Sequence, residues 1–272
     1  MKRVLTISFA ALATMAAASL LTAQIQCVRP AQCVKPPAGM VSWWPGDGVS
    51  RDIQGPNNAA VVGATYAPGM VGQAFSFPGG ARVEAPSSAS LQITGPITLD
   101  AWVSYQGVSP QTAGLSNAPI VAKWGDTSRG TAEYGLFVYG AASGFADGTL
   151  VFGVSPDGTA KVTAIGPPLP NRSFTHVAGT WDGSQLLLYV NGVVVATTPF
   201  TGPIAANASP LVIGGYDPSA TNFSDAMVGL IDEVEIFNRA LSQTEIQSIV
   251  NAQSAGKCKR LCQLCDFCNQ LP

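Results

Sequence analysis

Charge is scarce in this chain: Asp, Glu, Lys and Arg make up 11% of its 272 residues, and the formal net charge is −2. No basic run or stripe occurs, so the electrostatic footprint of a nucleic-acid binder is missing. Histidine is nearly absent too, with His176 the one example. Any Ser/His or Cys/His nucleophile system would have to use it. It lies in Thr175-His-Val-Ala-Gly179, a strand pattern that reads as a packed, hydrogen-bonded histidine. There is no glycine-rich phosphate cradle and no His-based metal motif. Residues 40–253 hold no cysteine, and beyond residue 23 no apolar run is long enough to span a bilayer.

What is present begins with an export pattern. Lys2 and Arg3 precede an apolar run from Val4 to Leu21, and Leu21-Thr22-Ala23 supplies small residues for cleavage before Gln24. Residues 1–23 therefore read as a secretory signal peptide, whose removal takes the formal charge from −2 to −4. Cys27 follows no lipobox. The expected divisions are a Cys- and Pro-bearing lead-in at 24–39, a single domain at 40–253 and a Cys-rich tail at 254–272.

The 29 glycines and 20 prolines are spread among Val, Ile, Phe and Tyr, the pattern of many short strands joined by tight turns. Strand-like segments recur from Val41–Trp44 through Ala59–Tyr66 and Ile97–Tyr105 to Val228–Phe237. Phe174–Ala196 is the most explicit stretch, with turns at Asp182-Gly183 and Asn191-Gly192. Asn-Gly between β-branched runs is a strong hairpin signal, because a type I′ turn needs positive φ at both central residues. Leu99, Ala101 and Val103 alternate with Asp100, Trp102 and Ser104, so one set faces a core. One helix is expected: Ser242 and Glu245 form a capping box ahead of an Ile246, Ile249, Val250 stripe, and Gly256 ends it. The expectation is an all-β, antiparallel two-sheet jelly-roll sandwich with one short C-terminal helix.

The chain resembles the laminin-G-like, concanavalin A-like lectin/glucanase domains of secreted bacterial proteins. The resemblance is carried in order by Val41-Ser-Trp-Trp-Pro-Gly-Asp-Gly48, Asp52 with Asn57-Asn58, Gly69–Phe77, Ile97–Val103, Ile120–Trp124, Thr175–Gly183, Leu188–Gly192 and Gly229–Leu241. It covers about residues 40–253 and specifies a fold rather than a function. It implies a structural calcium ion (Ca2+) where the first strand, an early loop and the last strand meet, at Asp47, Asp52, Asn57 and Asp232. A hard cation there would need six to eight oxygens, and so few charges imply an affinity on the order of 10⁻⁴–10⁻³ M. The alternative makes Asp47 and Asp52 turn residues and Asp232 an edge group. In this type of fold the terminal strands are often neighbours, which suits a bridge from lead-in to tail.

Glu233 and Glu235 are the tempting pair of glycosidase carboxyls. Related glucanases carry three alternating acids, and Phe237 holds the third position here. The expectation is therefore solvent-facing acids on an outer strand, with Asp232, Val234 and Ile236 pointing the other way. Trp124 and Tyr134 are the candidate ligand-binding rings, with Lys123, Asp126 and Arg129 near them, because rings stack on the apolar faces of pyranoses. The cysteines Cys27, Cys33, Cys258, Cys262, Cys265 and Cys268 read as disulfides in an exported protein. A four-cysteine metal site in the tail is the alternative. Asn171, Asn207 and Asn222 open Asn-x-Ser triplets that read as chance. The working expectation is a secreted, non-catalytic module binding a polysaccharide or surface glycan. An adhesive module contacting an extracellular protein and a weak glycoside hydrolase or polysaccharide lyase are the alternatives.

Overall fold

The computed structural model describes residues 33–109, 117–125, 131–216 and 226–259. The expected leader, Cys27, Asp126, Arg129, Asn222 and the three last cysteines lie outside these residues. Among the described residues no helix is long and apolar enough to cross a membrane.

The strands are β1 (Met40–Trp44), β2 (Ala60–Val62), β3 (Thr65–Pro68), β4 (Gln73–Pro78), β5 (Arg82–Ala85), β6 (Ile97–Ser109), β7 (Asn117–Trp124) and β8 (Ala132–Tyr139). They continue with β9 (Thr149–Val154), β10 (Val162–Pro168), β11 (Thr175–Trp181), β12 (Gln185–Val190), β13 (Val193–Pro199), β14 (Leu211–Ile213) and β15 (Ala226–Phe237), before helix α1 (Gln243–Ala252). One sheet runs β13-β12-β11-β6-β15-β4-β3, with β1 also pairing β15; the other runs β10-β9-β8-β7-β14-β5-β2. The expected all-β sandwich with one short helix is what the chain forms.

Local chemistry explains the connections. Asn191 and Gly192 take φ of 49° and 76°, the paired positive values of a type I′ turn joining β12 to β13. The Asp182 carboxylate instead caps its own turn, accepting from the Ser184 and Gln185 amides at 2.8 and 2.9 Å. The expected single strand Ala59–Tyr66 is two. Gly63, at φ 73°, breaks it, so β2 joins one sheet and β3 the other. Periodicity persists across such a corner, which is why sequence alone did not show the break.

Between the sheets, Leu99, Ala101 and Val103 of β6 pack with Tyr134, Leu136 and Val138 of β8 and with Phe152 of β9. Gly179 of β11 leaves room for the Phe152 ring, which a Cβ at 179 would strike. A smaller cluster lies on the outer side of the first sheet, where Ile246 and Ile249 of α1 meet Met40, Trp43, Tyr189 and Phe237. The helix starts as its capping box requires: Ser242 Oγ accepts from the Glu245 amide, and the Glu245 carboxylate accepts from the Ser242 amide at 2.9 Å. Arg239 grips the same carboxylate at 2.6 and 3.0 Å, and that hydrogen bonding holds the Glu245 pKa down at about 2.

Two outcomes follow. Gly179→Ala overpacks the core beneath Phe152 and lowers stability by about 1–3 kcal/mol, read by urea denaturation. Arg239→Ala removes a pair whose side chains are about one-third exposed, so screening limits the loss to roughly 0.5–1 kcal/mol at pH 7. Glu245 has a depressed folded pKa, so this contribution is full above the ordinary carboxylate pKa. The gap between wild type and variant should close as pH falls from about 4 through about 2.

Candidate functional site

The densest polar chemistry lies on the outer face of the first sheet, around β15. This strand is shared: Val228–Ile231 pair with β4, while Val234–Phe237 pair with β1. At the junction the register with β6 shifts between Asp232 and Glu235, and Glu233 takes a φ of 54°. This is a β-bulge, which re-aims side chains. Ile231, Val234 and Ile236 face the core, whereas Asp232, Glu233 and Glu235 all serve the outer side. Two expectations are corrected here. Asp232 does not point away from the two glutamates, and Glu233 and Glu235 are not solvent-facing, at 1% and 0% exposure.

Their partners arrive from the chain ends. Lys257 Nζ lies 2.7 Å from Glu235 Oε1 and 3.9 Å from Glu233 Oε2. Lys259 Nζ lies 2.8 Å from Glu233 Oε1 and also pairs with Asp47. Both ammonium groups sit over the Trp43 ring, at 5.5 and 5.8 Å from its centre, and the Trp43 indole donates to Glu233 Oε2 at 3.1 Å. Between the lysines, Cys258 is disulfide-bonded to Cys33 with their Cα atoms 4.9 Å apart. On β6, Asp100 stands opposite Glu235 and its carboxylate meets His176 Nε2 at 3.1 Å. The His176 ring also packs edge-on against Trp102 at 5.2 Å; it is the packed histidine expected.

Acids outnumber bases in this cluster, and burial decides the protonation balance. Asp232, desolvated and flanked by Glu233, has its pKa pushed up to about 8, although the Val71 amide donates to it at 2.9 Å. Burial also opposes the charge on Lys257, but Glu235, Asp100 and Glu233 together outweigh it and hold that pKa above its ordinary value. A glycosidase requires two carboxyls flanking an accessible bond. Glu233 and Glu235 are enclosed and ion-paired.

The four residues expected around calcium fall into two groups. Asp52 Oδ1 accepts from the amides of Trp43, Gln54 and Gly55 at 2.9–3.0 Å, and Oδ2 from that of Asn57 at 3.1 Å. The Asn57 amide is used by Ser42, Ser88 and Ser90. Asp47 and Asp232 instead hold the turn between β3 and β4, accepting from the Gln73 and Val71 amides at 2.9 Å. Gly69 and Gly72 stand in that turn where a Cβ would strike these two carboxylates. Among the described residues, no three of His, Cys, Asp and Glu form a group able to hold a metal. The donor set does not fit a calcium shell.

The second sheet presents a different outer face. Gly135 and Gly153 are paired in register. Their missing side chains leave space under Phe137 and Trp124, which pack edge-to-face at 5.4 Å. Ala122, Val151 and Tyr216 complete this cluster, with Tyr139 against it. Beyond Tyr139, Phe145 stacks on its ring at 4.9 Å and remains 46% exposed. Trp124 thus belongs to an outer face, though only 5% exposed. Tyr134 does not share it: its ring is in the inter-sheet core and its hydroxyl donates to the Leu91 carbonyl at 2.6 Å. Phe145 escaped the sequence reading because it lies in a loop, Gly144-Phe-Ala-Asp-Gly148, without strand periodicity. An apolar ring between glycines was its available signal.

Lys123, expected near a ligand, is enclosed instead. It pairs with Glu133 at 2.8 Å and donates to the Asn207 carbonyl at 2.5 Å. The Asn207 side-chain amide donates to the Thr131 carbonyl at 2.7 Å, so that triplet is structural.

Two antiparallel sheets packed face to face define a jelly-roll-type sandwich. The chain belongs to the concanavalin A-like lectin/glucanases superfamily, whose laminin-G profile matches residues 77–247. No curated protein sequence is significantly similar to it. Among solved structures, the binding domain of Paraclostridial Mosquitocidal Protein 1 aligns over 79% of this chain and 52% of its own, at 14% identity and a TM-score of 0.59. Domain 4 of AbnA, an extracellular arabinanase from Geobacillus stearothermophilus in complex with arabinotriose, aligns over 79% and 98%, at 18% identity and a TM-score of 0.55. The binding domain of botulinum neurotoxin DC, in complex with rat synaptotagmin II, aligns over 79% and 51%, at 12% identity and a TM-score of 0.55. The chain thus spans about half the toxin binding domains and nearly all of the arabinanase domain. At these identities the likeness is one of fold.

The Lys123–Glu133 pair yields a stability outcome. Glu133→Gln leaves a buried ammonium without its counter-charge and costs about 3–5 kcal/mol, whereas Lys123→Met with Glu133→Met restores most of the loss. Chemical denaturation of the two variants checks both halves.

Proposed function

We propose that this domain is a non-catalytic module, acting outside the cell, that binds a polysaccharide or surface glycan on the outer face of its second sheet. The observation that carries this reading is the Tyr139–Phe145 stack: an apolar ring packed on a second ring and left open to solvent. Stacked rings match the apolar face of a pyranose, and the Asp147 carboxylate, which accepts from the Tyr105 hydroxyl at 2.6 Å, lies two residues beyond Phe145. The reading is supported by a relative of the same fold crystallised with arabinotriose and another described as entering cells through ganglioside molecules. Hydrolysis is disfavoured because Glu233 and Glu235 are sealed against lysines.

A protein-binding role has an observation of its own. Val193 and Val195 are exposed on β13, an edge strand of the first sheet, and a related toxin domain binds synaptotagmin II. A glycan array followed by affinity electrophoresis separates the two. The expected result is binding to at least one polysaccharide, weakened about fivefold by Phe145→Ala through the loss of roughly 1 kcal/mol of stacking, with unchanged thermal stability. Absence of binding to every glycan, or binding untouched by Phe145→Ala, overturns the site.

A further inference from the structure

We infer that the Cys33–Cys258 disulfide is a redox latch that holds Lys257 and Lys259 in the carboxylate cluster as its permanent counter-cations. Independently of the glycan reading, the structure joins three observations. The first is enclosure. Lys257 is 3% exposed, and Glu235 and Glu233, whose Oε1 and Oε2 it faces at 2.7 and 3.9 Å, are buried with it. The carboxylates outnumber the ammonium groups, so while this face stays covered neither lysine can be withdrawn without leaving buried acids short of counter-charge.

The second is the means of attachment. The segment carrying both lysines follows the 3-10 turn Gln253–Ala255, and beyond the ion pairs of its two lysines its backbone is tied down by one short parallel bridge. Its backbone bonds there are the Val34 amide to the Gly256 carbonyl at 3.0 Å and the Cys258 amide to the Val34 carbonyl at 2.8 Å. Two hydrogen bonds to a strand that is itself a single isolated bridge give little cooperativity. The disulfide between Cys33 and Cys258 fixes both sides of that bridge at once.

The third is position. Cys258 stands between Lys257 and Lys259, so the bond anchors the residue from which both ammonium groups are directed onto the Trp43 ring and toward Glu233. Of the four residues to which the resemblance assigned a bound cation, Asp47 is ion-paired with Lys259.

Opening the latch needs an external dithiol. Its thiolate attacks the Sγ–Sγ bond, two electrons and two protons convert Cys33 and Cys258 to thiols, and the dithiol closes to its own disulfide. The Gly256–Lys259 segment then lifts, and the face bearing Trp43, Trp102, Asp100, Glu233 and Glu235 opens to solvent. The sandwich beneath remains, because its core draws nothing from this segment.

Lysine acetylation with peptide mass mapping tests this on the full chain. The oxidised protein is compared with protein reduced by dithiothreitol and alkylated, and with the Cys33→Ser/Cys258→Ser variant, which isolates this bond from the chain's other four cysteines. The expected result is that Lys257 labelling rises at least about tenfold in both treated samples, as local opening exposes it. Lys123, enclosed at 0% exposure by the other sheet, should stay protected. Millimolar calcium should leave labelling of the oxidised protein unchanged. Continued protection of Lys257 after complete reduction overturns the latch. Lys257 and Lys123 opening together also overturns it, since the bond would then be a staple of the whole fold. Calcium-driven exposure of Lys257 would show an ion displacing the lysines and would overturn their assignment as counter-cations.

Discussion

The organisation of the first sheet depends on one constraint: carboxylates taken out of water need counter-charges or protons. The β15 bulge brings Asp232, Glu233 and Glu235 to one side, where β6 adds Asp100. Isolated in an apolar surround, such a group would cost several kcal/mol. Lys257 and Lys259 answer part of that demand, and the raised pKa of Asp232 answers another part. The segments around Cys33–Val34 and Gly256–Lys259 are therefore structural parts of the domain. They close over a face that would otherwise be hydrated, and they turn Trp43 into a floor for two ammonium groups.

The same accounting separates the two outer faces by role. On the first sheet, α1 and the segment at the Val34–Lys257 bridge cover the surface with chain, and the titratable groups are spent on each other. On the second, the polar pair Lys123–Glu133 is sealed by Asn207, and an aromatic cluster lies on the outer side. Gly135 makes room for the Phe137 ring, with Gly153 beside it in register under Trp124, and the rings continue outward through Tyr139 to an open Phe145. Ring surface without competing charge is suited to sugars, whose faces are apolar and whose edges are hydroxyl-rich.

The fold was largely legible because its signals are local. Asn191-Gly192 needs positive φ at two adjacent positions and obtains it; Ser242 and Glu245 meet as a capping box; Leu99, Ala101 and Val103 alternate into the core. The site was much less legible, since it depends on events that alternation hides. A bulge at Glu233 shifts the faces of β15 by one residue, placing Asp232 beside acids it had been set against. The cover over Glu233 and Glu235 comes from residues more than twenty positions further on, so their burial leaves no mark in their own strand. Tyr134 and Trp124 look equivalent as strand aromatics, yet the register of β7 against β8 sends one inward and the other outward.

Low overall charge and a dense buried ionic cluster are two sides of one design. With charged side chains at 11% of the sequence, concentrating acids and lysines around β15 leaves the rest of the sandwich to be held by apolar packing and turn geometry. Packing of that kind is indifferent to salt and pH, whereas the cluster responds to whatever holds its lysines in place. A fold stabilised mainly by burial, and at this cluster by covalently anchored lysines, can be altered locally without being undone. The ring-bearing face on the opposite sheet, separated from the cluster by the full inter-sheet core, keeps its geometry whichever state the chain ends adopt.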